Sequence, residues 1–222
     1  FTAPAGVDFA GSATAPNFIN NGILTHVRDD FSADSATFRI LADNFSLTNA
    51  TTGQITIGKN YPVTGNWGAE GFVFSGSGGI LTNKGEIEGQ GDYTVRLSGS
   101  NNTVTNSGIL RSSLTNGYTP TDSWFYKFIS DSGSQNTLTN SGTIEAYWLT
   151  VAIYGTNFTL RNQEDGVINA ARYRYGVYSG GENANITNSG SISAAHDYGV
   201  YSAGGNANIT NSGSISASDD YG

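Results

Sequence analysis

A ten-residue segment occurs twice near the end of the chain, first as Asn185-Ile186-Thr187-Asn188-Ser189-Gly190-Ser191-Ile192-Ser193-Ala194 and again as Asn208-Ile209-Thr210-Asn211-Ser212-Gly213-Ser214-Ile215-Ser216-Ala217. The segment before it, Tyr175-Gly176-Val177-Tyr178-Ser179, recurs at the same spacing as Tyr198-Gly199-Val200-Tyr201-Ser202. The shift between copies is roughly 23 residues, and a period between about 20 and 50 residues is typical of solenoids and repeat arrays. The sequence therefore predicts a chain that is wound into stacked coils.

One asparagine in every coil keeps a fixed distance from apolar residues, and this spacing extends the repeat to the start of the chain. The asparagines are Asn20, Asn49, Asn83, Asn106, Asn140, Asn162, Asn188 and Asn211. Apolar residues lie two positions before them, at Phe18, Leu47, Leu81, Val104, Leu138, Leu160, Ile186 and Ile209. Others lie eleven positions before them, at Phe9, Phe38, Phe72, Val95, Ile129, Val151, Val177 and Val200. A third set follows the next glycine, at Leu24, Ile55, Ile87, Leu110, Ile144, Ile168, Ile192 and Ile215, displaced by two residues in the second and sixth coils.

Three apolar positions per coil predict a three-faced prism in which each set forms an inward column. The alternation of apolar and polar residues around the asparagines is typical of strands with one buried face. Parallel strands joined by crossovers are almost always right-handed. We therefore predict an all-β fold, a right-handed parallel β-helix of about eight coils of roughly 23 residues each.

The Asn-x-Gly element that begins at each repeated asparagine in the regular coils, as in Asn188-Ser189-Gly190, has the composition of a turn. Asparagine tolerates the left-handed conformation, and glycine has no Cβ to oppose a positive φ. Asparagines stacked at one corner can also hydrogen-bond from coil to coil as a ladder. We expect both properties here.

Three coils are longer than the rest, and their extra residues fall in the same part of the coil. The segment that ends at each asparagine is predicted to keep its length, so the insertions at about 25–37, 56–71 and 111–128 leave one corner of the prism. We expect one β-solenoid domain over residues 1–222, with irregular coils over 1–135 and regular repeats over 136–222. Insertions collected on one edge of a repeat protein are often its binding side.

The insertions contain aromatic residues that are candidate contacts. Trp67, Trp124 and Tyr126 are predicted to stack on sugars or to anchor a protein partner, since exposed aromatic rings serve both purposes. The alternative is that these side chains cover the apolar flank of the prism.

Composition excludes several classes of partner. The net charge is −8 with only 10 Lys and Arg, so we expect no nucleic-acid binding, which depends on cations at phosphates. An acidic surface also suits anionic lipid poorly, and no apolar run is long enough to span a bilayer, so we expect no direct membrane insertion by this segment. The chain has no Cys, which excludes disulfides and thiolate metal sites.

We expect no catalytic, cofactor or metal site. His26 and His196 are predicted to lie about six coils apart, roughly 29 Å at the spacing of stacked strands. The best charged cluster is Glu164-Asp165 with Arg161, Arg172 and Arg174, and a solvated turn explains it.

The quoted repeats resemble the passenger repeats of large bacterial autotransporters and related surface adhesins. The close resemblance covers about residues 136–222, and a degenerate form covers the whole chain. It implies export and display at the bacterial cell surface, with host surfaces, glycans or end-to-end copies of the chain as partners. We expect a non-enzymatic stalk and tip of an adhesin, or a self-stacking fibre.

Two points stay open in this interpretation. The alternative function is a polysaccharide-acting enzyme or a tailspike-like glycan-binding β-helix, because β-helices also serve those purposes. The chain stops at Gly222 inside a repeat, and we expect either further coils or another subunit to follow it.

Overall fold

The computed structural model describes residues 7–9, 17–28, 35–59, 69–89, 93–112, 127–172 and 174–218. These residues form 24 strands and no helix. The predicted three-faced parallel β-helix of eight coils is confirmed, with three strands in each coil.

The strands are short, and each coil contributes them in the same order. Coils 1 to 4 contain β1 (Val7–Phe9), β2 (Asn17–Asn20), β3 (Ile23–Arg28), β4 (Ser35–Ile40), β5 (Ser46–Asn49), β6 (Gln54–Lys59), β7 (Ala69–Phe74), β8 (Ile80–Asn83), β9 (Glu86–Gly89), β10 (Tyr93–Leu97), β11 (Thr103–Asn106) and β12 (Ile109–Ser112). Coils 5 to 8 contain β13 (Lys127–Asp131), β14 (Thr137–Asn140), β15 (Thr143–Ala146), β16 (Leu149–Ile153), β17 (Thr159–Asn162), β18 (Val167–Ala170), β19 (Tyr175–Ser179), β20 (Asn185–Asn188), β21 (Ser191–Ala194), β22 (Tyr198–Ser202), β23 (Asn208–Asn211) and β24 (Ser214–Ala217).

Three parallel sheets of eight strands form the faces. Sheet A takes the first strand of every coil, sheet B the second and sheet C the third, each in chain order. The predicted columns are in register: Val151 pairs with Val177 in sheet A, and Ile168 pairs with Ile192 in sheet C. Each strand therefore bonds to its counterpart one coil earlier and one coil later.

The three columns form one continuous core. In coils 2 to 7 every predicted column residue is buried, and Phe38 stacks on Phe72 with ring centroids 4.9 Å apart. Phe18 and Ile209, in the first and last coils, are more exposed because each packs against one neighbouring coil only. Each fully buried side chain contributes roughly 1.5–3 kcal/mol, offset by the entropy of ordering the chain.

The register of the first coil differs from the prediction. Phe38 pairs with Val7, whereas Phe9 pairs with Ile40, the next inward residue. The constant length predicted for the segment before each asparagine was therefore wrong for this coil, in which the interval from the column residue to Asn20 is two residues longer. Val7 and Phe9 are two positions apart, which is the period of a β-strand, so spacing alone could not show which of them belongs to the column.

The asparagines form the predicted ladder inside the corner between sheets B and C. The amide Nδ2 of each donates to Oδ1 of the next at 2.8–2.9 Å, in the order Asn20, Asn49, Asn83, Asn106, Asn140, Asn162, Asn188 and Asn211. The same nitrogens approach backbone carbonyls in their own coil and the next, as Asn140 does with Gly142 and Val167. Every donor therefore points toward the later coil, and the ladder has a direction.

The predicted left-handed conformation of these asparagines was wrong. Residues with positive φ lie instead in the turn between sheets A and B, at Asn44, Gly78, Asn101, Gln135, Asn157, Asn183 and Asn206, and directly before strands of sheet A, at Arg174 and Asp197. The glycine of Asn-x-Gly is required for close approach between coils. A Cβ on Gly108 would lie 2.1 Å from the carbonyl oxygen of Gly85 in the preceding coil, which no side chain tolerates.

The predicted insertions lie in the chain between a strand of sheet C and the next strand of sheet A. They are shorter than expected, because β3 extends to Arg28, β4 begins at Ser35, β6 extends to Lys59 and β7 begins at Ala69. The remaining segments 29–34, 60–68 and 113–126 lie outside the described residues.

Candidate functional site

The Tyr-Gly-Val-Tyr motif places two tyrosines on the same side of sheet A. Regular alternation would direct Tyr175 and Tyr178 to opposite faces. The strand bends at Gly176 instead: a Cβ there would lie 2.9 Å from Cγ2 of the buried Ile192, so this position turns inward beside Val177. Both tyrosines consequently belong to an outer cluster that is separate from the core.

The tyrosine face, defined here as Tyr154, Tyr175, Tyr178, Tyr198 and Tyr201, covers the outer side of coils 6 to 8. Tyr175 lies nearly parallel to Tyr198, with ring centroids 5.7 Å apart, and Tyr178 lies nearly parallel to Tyr201 at 5.8 Å. Tyr154 extends the face to coil 6, 5.5 Å from Tyr178. The rings thus form two columns along the helix axis that repeat once per coil.

Cations lie against the aromatic rings next to this face. The Lys127 ammonium is 4.7 Å from the ring centroid of Tyr154 and 5.8 Å from that of Tyr93. The Arg96 guanidinium is 5.5 Å from the Tyr93 ring. Such contacts hold a cation at an aromatic surface.

Arg172 makes the equivalent contact at the corner that leads into sheet A. Its guanidinium lies 5.2 Å from the centroid of the Tyr147 ring and donates a hydrogen bond to the Tyr147 hydroxyl. Arg96, Lys127 and Arg172 are therefore each placed on an aromatic ring, in a chain with a net charge of −8.

The phenol groups of Tyr154 and Tyr175 remain protonated at neutral pH. Burial, with smaller contributions from Tyr178 and Tyr93, raises the pKa of Tyr154 to about 12. Burial and the nearby Asp197 carboxylate also raise the pKa of Tyr175. Neutral phenols can donate hydrogen bonds as well as accept them, so the face combines apolar rings with polar edges.

A second unusual group, Asp131, is buried inside the helix. It occupies an inward position of sheet A between Leu97 and Ile153. Its Oδ1 accepts a hydrogen bond of 2.7 Å from Asn136 Nδ2, while Oδ2 is buried without a hydrogen-bond partner. Burial raises the pKa of Asp131 to about 6, against the opposing effect of Asn136 and nearby backbone N–H groups.

The groups considered for catalysis do not converge. His26 lies in β3 and His196 follows β21, which are six strands apart in sheet C. The strand β18 separates the exposed turn of Glu164 and Asp165 from Arg172. Among the described residues, no group of three His, Cys, Asp or Glu side chains is placed to hold a metal ion.

The predicted contact residues Trp67, Trp124 and Tyr126 lie outside the described residues. Tyr126 is joined directly to Lys127, the first residue of β13 and a neighbour of the tyrosine face. The predicted corner and the observed face therefore adjoin along the chain.

Sequence reasoning missed the tyrosine face and Asp131. The recurring Tyr-Gly-Val-Tyr motif marks the period of the repeat, and the glycine between its two aromatic residues in consecutive coils also signals a bend that aligns them. The signal for Asp131 was a polar residue in register with Leu97 and Ile153.

The chain was compared with known proteins in three ways. No protein-family model, curated protein or solved structure matches it. In the part of the chain that the structure describes, no helix combines the length and hydropathy required to cross a membrane.

Proposed function

We propose that this protein is a non-enzymatic structural and adhesive module displayed on a bacterial cell surface. The contact surface is the tyrosine face together with the corner from which the insertions leave. The resemblance of the repeats to autotransporter passengers supports secretion and surface display. The same chain can act as the stalk and tip of an adhesin or as a unit of a fibre.

The observation that carries the proposal is the column arrangement of the five tyrosines. Tyr175 is almost fully buried by its aromatic neighbours, yet the cluster as a whole lies outside the core. Aromatic rings concentrated on one outer face are typical of interaction sites, where rings provide contact area at low cost in conformational entropy. The rigid β-helix behind them holds the rings in fixed positions.

Glycan binding without catalysis is the second candidate, and the same face favours it. A polysaccharide-acting enzyme requires an acid and a base or nucleophile within about 10 Å of each other. Asp131 is one buried carboxyl group, and its raised pKa follows from burial in the core. The tyrosine face provides binding groups without such a pair.

Adhesion of protein-coated beads to host-cell monolayers and immobilised glycans tests the proposal. We expect the Tyr178→Ala/Tyr201→Ala double variant to lose at least about tenfold in bead retention, because it removes two adjacent rings of one column. The matched control is Thr187→Ala/Thr210→Ala, which changes the outer face of sheet B in the same two coils.

Two outcomes would contradict the proposal. One is unchanged adhesion by the tyrosine variant, with thermal melting showing that it remains folded. The other is the appearance of new reducing ends or unsaturated products from a polysaccharide panel, lost on changing Asp165 or Arg172.

A further inference from the structure

We propose that Tyr178 and Tyr201 form a modification site, at which a haem peroxidase and hydrogen peroxide join the two rings by a carbon–carbon bond. The bond links coil 7 to coil 8. Because the sequence contains no Cys, no disulfide connects these coils, and the ring-to-ring bond supplies a covalent connection of another kind. The modification goes beyond the proposed adhesive function and does not depend on it.

The register of sheet A holds the two rings beside each other. Tyr178 pairs with Tyr201 in the parallel ladder, so their side chains leave equivalent positions of consecutive coils. Their ring centroids are 5.8 Å apart and the interplanar angle is 19°. At this separation the nearest carbon atoms of two stacked rings come close to van der Waals contact, about 4 Å. Radicals formed on both rings can therefore meet after small rotations of the two side chains.

Accessibility distinguishes this pair from Tyr175 and Tyr198, which are also in register. Tyr178 and Tyr201 are both partly exposed, so each ring meets solvent. Tyr175 is almost fully buried, and the side chain of Arg174 hydrogen-bonds to it. A peroxidase removes electrons from phenols that it can approach, which favours the outer pair.

The reaction takes one electron and one proton from each phenol. Hydrogen peroxide, acting through the peroxidase, takes up both electrons and both protons and becomes two molecules of water. The two phenoxyl radicals then couple at a ring carbon next to the oxygen-bearing carbon, which forms one carbon–carbon bond. The hydrogen on each coupled carbon moves to the phenolic oxygen and restores both aromatic rings. The product is lighter than the parent by two hydrogen atoms.

The composition of the chain directs such an oxidation to aromatic rings. The sequence contains neither Cys nor Met, whose sulfur atoms are the usual targets of oxidants in proteins. Tyr154 is 38% exposed and its ring centroid lies 5.5 Å from that of Tyr178. A radical formed on Tyr154 can therefore pass to the pair, so the face offers more than one point of entry.

Oxidation of the intact folded protein, followed by digestion of the single-chain band from a denaturing gel, tests the proposal. Trypsin and a glutamate-specific protease cleave after Arg174 and Glu182, which leaves Tyr178 in fragment 175–182 and Tyr201 in fragment 183–222. We expect the main product to be these two fragments joined, lighter than their sum by two hydrogen atoms and showing the fluorescence of dityrosine. Its fragmentation spectrum should place the bond between Tyr178 and Tyr201.

Two matched variants retain the rings and remove hydroxyl groups from one pair at a time. Tyr178→Phe/Tyr201→Phe should lose most of the joined product, because a ring without a phenol forms no phenoxyl radical. Tyr175→Phe/Tyr198→Phe should retain it. Thermal melting before oxidation establishes that both variants are folded, and the position of the bond in the parent depends on neither of them.

Three outcomes would overturn the modification site. One is the absence of joined fragments from the oxidised parent, and another is an equal yield from a folded Tyr178→Phe/Tyr201→Phe variant. The third is coupling only between molecules, seen as chains of twice the mass with no joined fragments in the single-chain band. Bead adhesion of the unoxidised protein tests the proposed function separately, so either proposal can fail without the other.

Discussion

Two of the polar groups at inner positions of this β-helix have different environments. The asparagine ladder runs through all eight coils, and each amide between Asn20 and Asn211 both donates to and accepts from its neighbours. Asp131 occupies an inward position in one coil only, between Leu97 and Ile153, and Asn136 is its hydrogen-bond partner. An amide can repeat indefinitely along the axis because it carries a donor and an acceptor, whereas a carboxylate carries acceptors alone. A buried polar column is stable when each member satisfies the next, and an isolated acid is tolerated at a cost.

The largest effect is expected where an acid is placed without a partner. Val151→Asp puts a carboxyl group into the apolar column of sheet A, where Val151 is fully buried between Ile129 and Val177. We expect a loss of about 5 kcal/mol in the free energy of unfolding, from lost apolar burial and an uncompensated acid. Denaturant unfolding measures it. A melting temperature within a degree or two of the parent would refute the inward assignment.

An interruption of the ladder should rank next. Asn140→Ala leaves Asn162 Oδ1 without its donor and removes one acceptor from Asn106 Nδ2. Each buried group deprived of its partner costs roughly 1–3 kcal/mol, so we expect a loss of about 4 kcal/mol. Thr139→Ala, the outward neighbour on the same strand, is the control and should change stability by less than about 0.5 kcal/mol. Similar losses for the two variants would show that the ladder contributes little.

The smallest effect is a gain in stability from removal of the buried charge. Burial raises the pKa of Asp131 from 3.8 to about 6, so the folded state holds the proton more tightly than the unfolded state. The contribution of Asp131 to the free energy of unfolding is fully present below pH 3.8. It falls as the pH rises through about 6, and the total loss is about 3 kcal/mol. Asp131→Asn should therefore exceed the parent by about 2–3 kcal/mol at pH 7, with the difference close to zero at pH 4.

Unfolding of both proteins at the two pH values isolates this group, because the other carboxyl groups are common to parent and variant. A difference that is independent of pH would mean that the pKa of Asp131 is the same in the folded and unfolded states, so that burial does not raise it.

The sequence predicted the columns because burial imposes a constant requirement at each inward position. Val151, Leu160 and Ile168 keep the spacing of their counterparts in other coils, since an inward polar residue there costs several kcal/mol. The same requirement could not fix the register of coil 1, where Val7 and Phe9 both satisfy it.

The tyrosine face was harder to foresee, because its geometry depends on contact between two sheets. The outward direction of Tyr175 follows from the inward bend at Gly176, and that bend is set by the packing of Gly176 against Ile192 of another strand. Likewise the raised pKa of Asp131 depends on neighbours that belong to the preceding and the following coil and are distant in the sequence. The local sequence pattern shows neither the packing of Gly176 against Ile192 nor the neighbours of Asp131 in adjacent coils.

The identical pairing of consecutive coils also bears on how the gene for this chain can change. Val200 takes in coil 8 the place of Val177 in coil 7, and the ten residues Asn185–Ala194 match Asn208–Ala217 position by position. Recombination between these copies removes or adds one whole coil, and the joined strands meet the same neighbours as before. Each such event changes the reach of the protein by about 4.8 Å, the spacing of stacked strands. The length of the β-helix would therefore change in whole coils, and each coil added or removed in this way would also add or remove one pair of tyrosines from the tyrosine face.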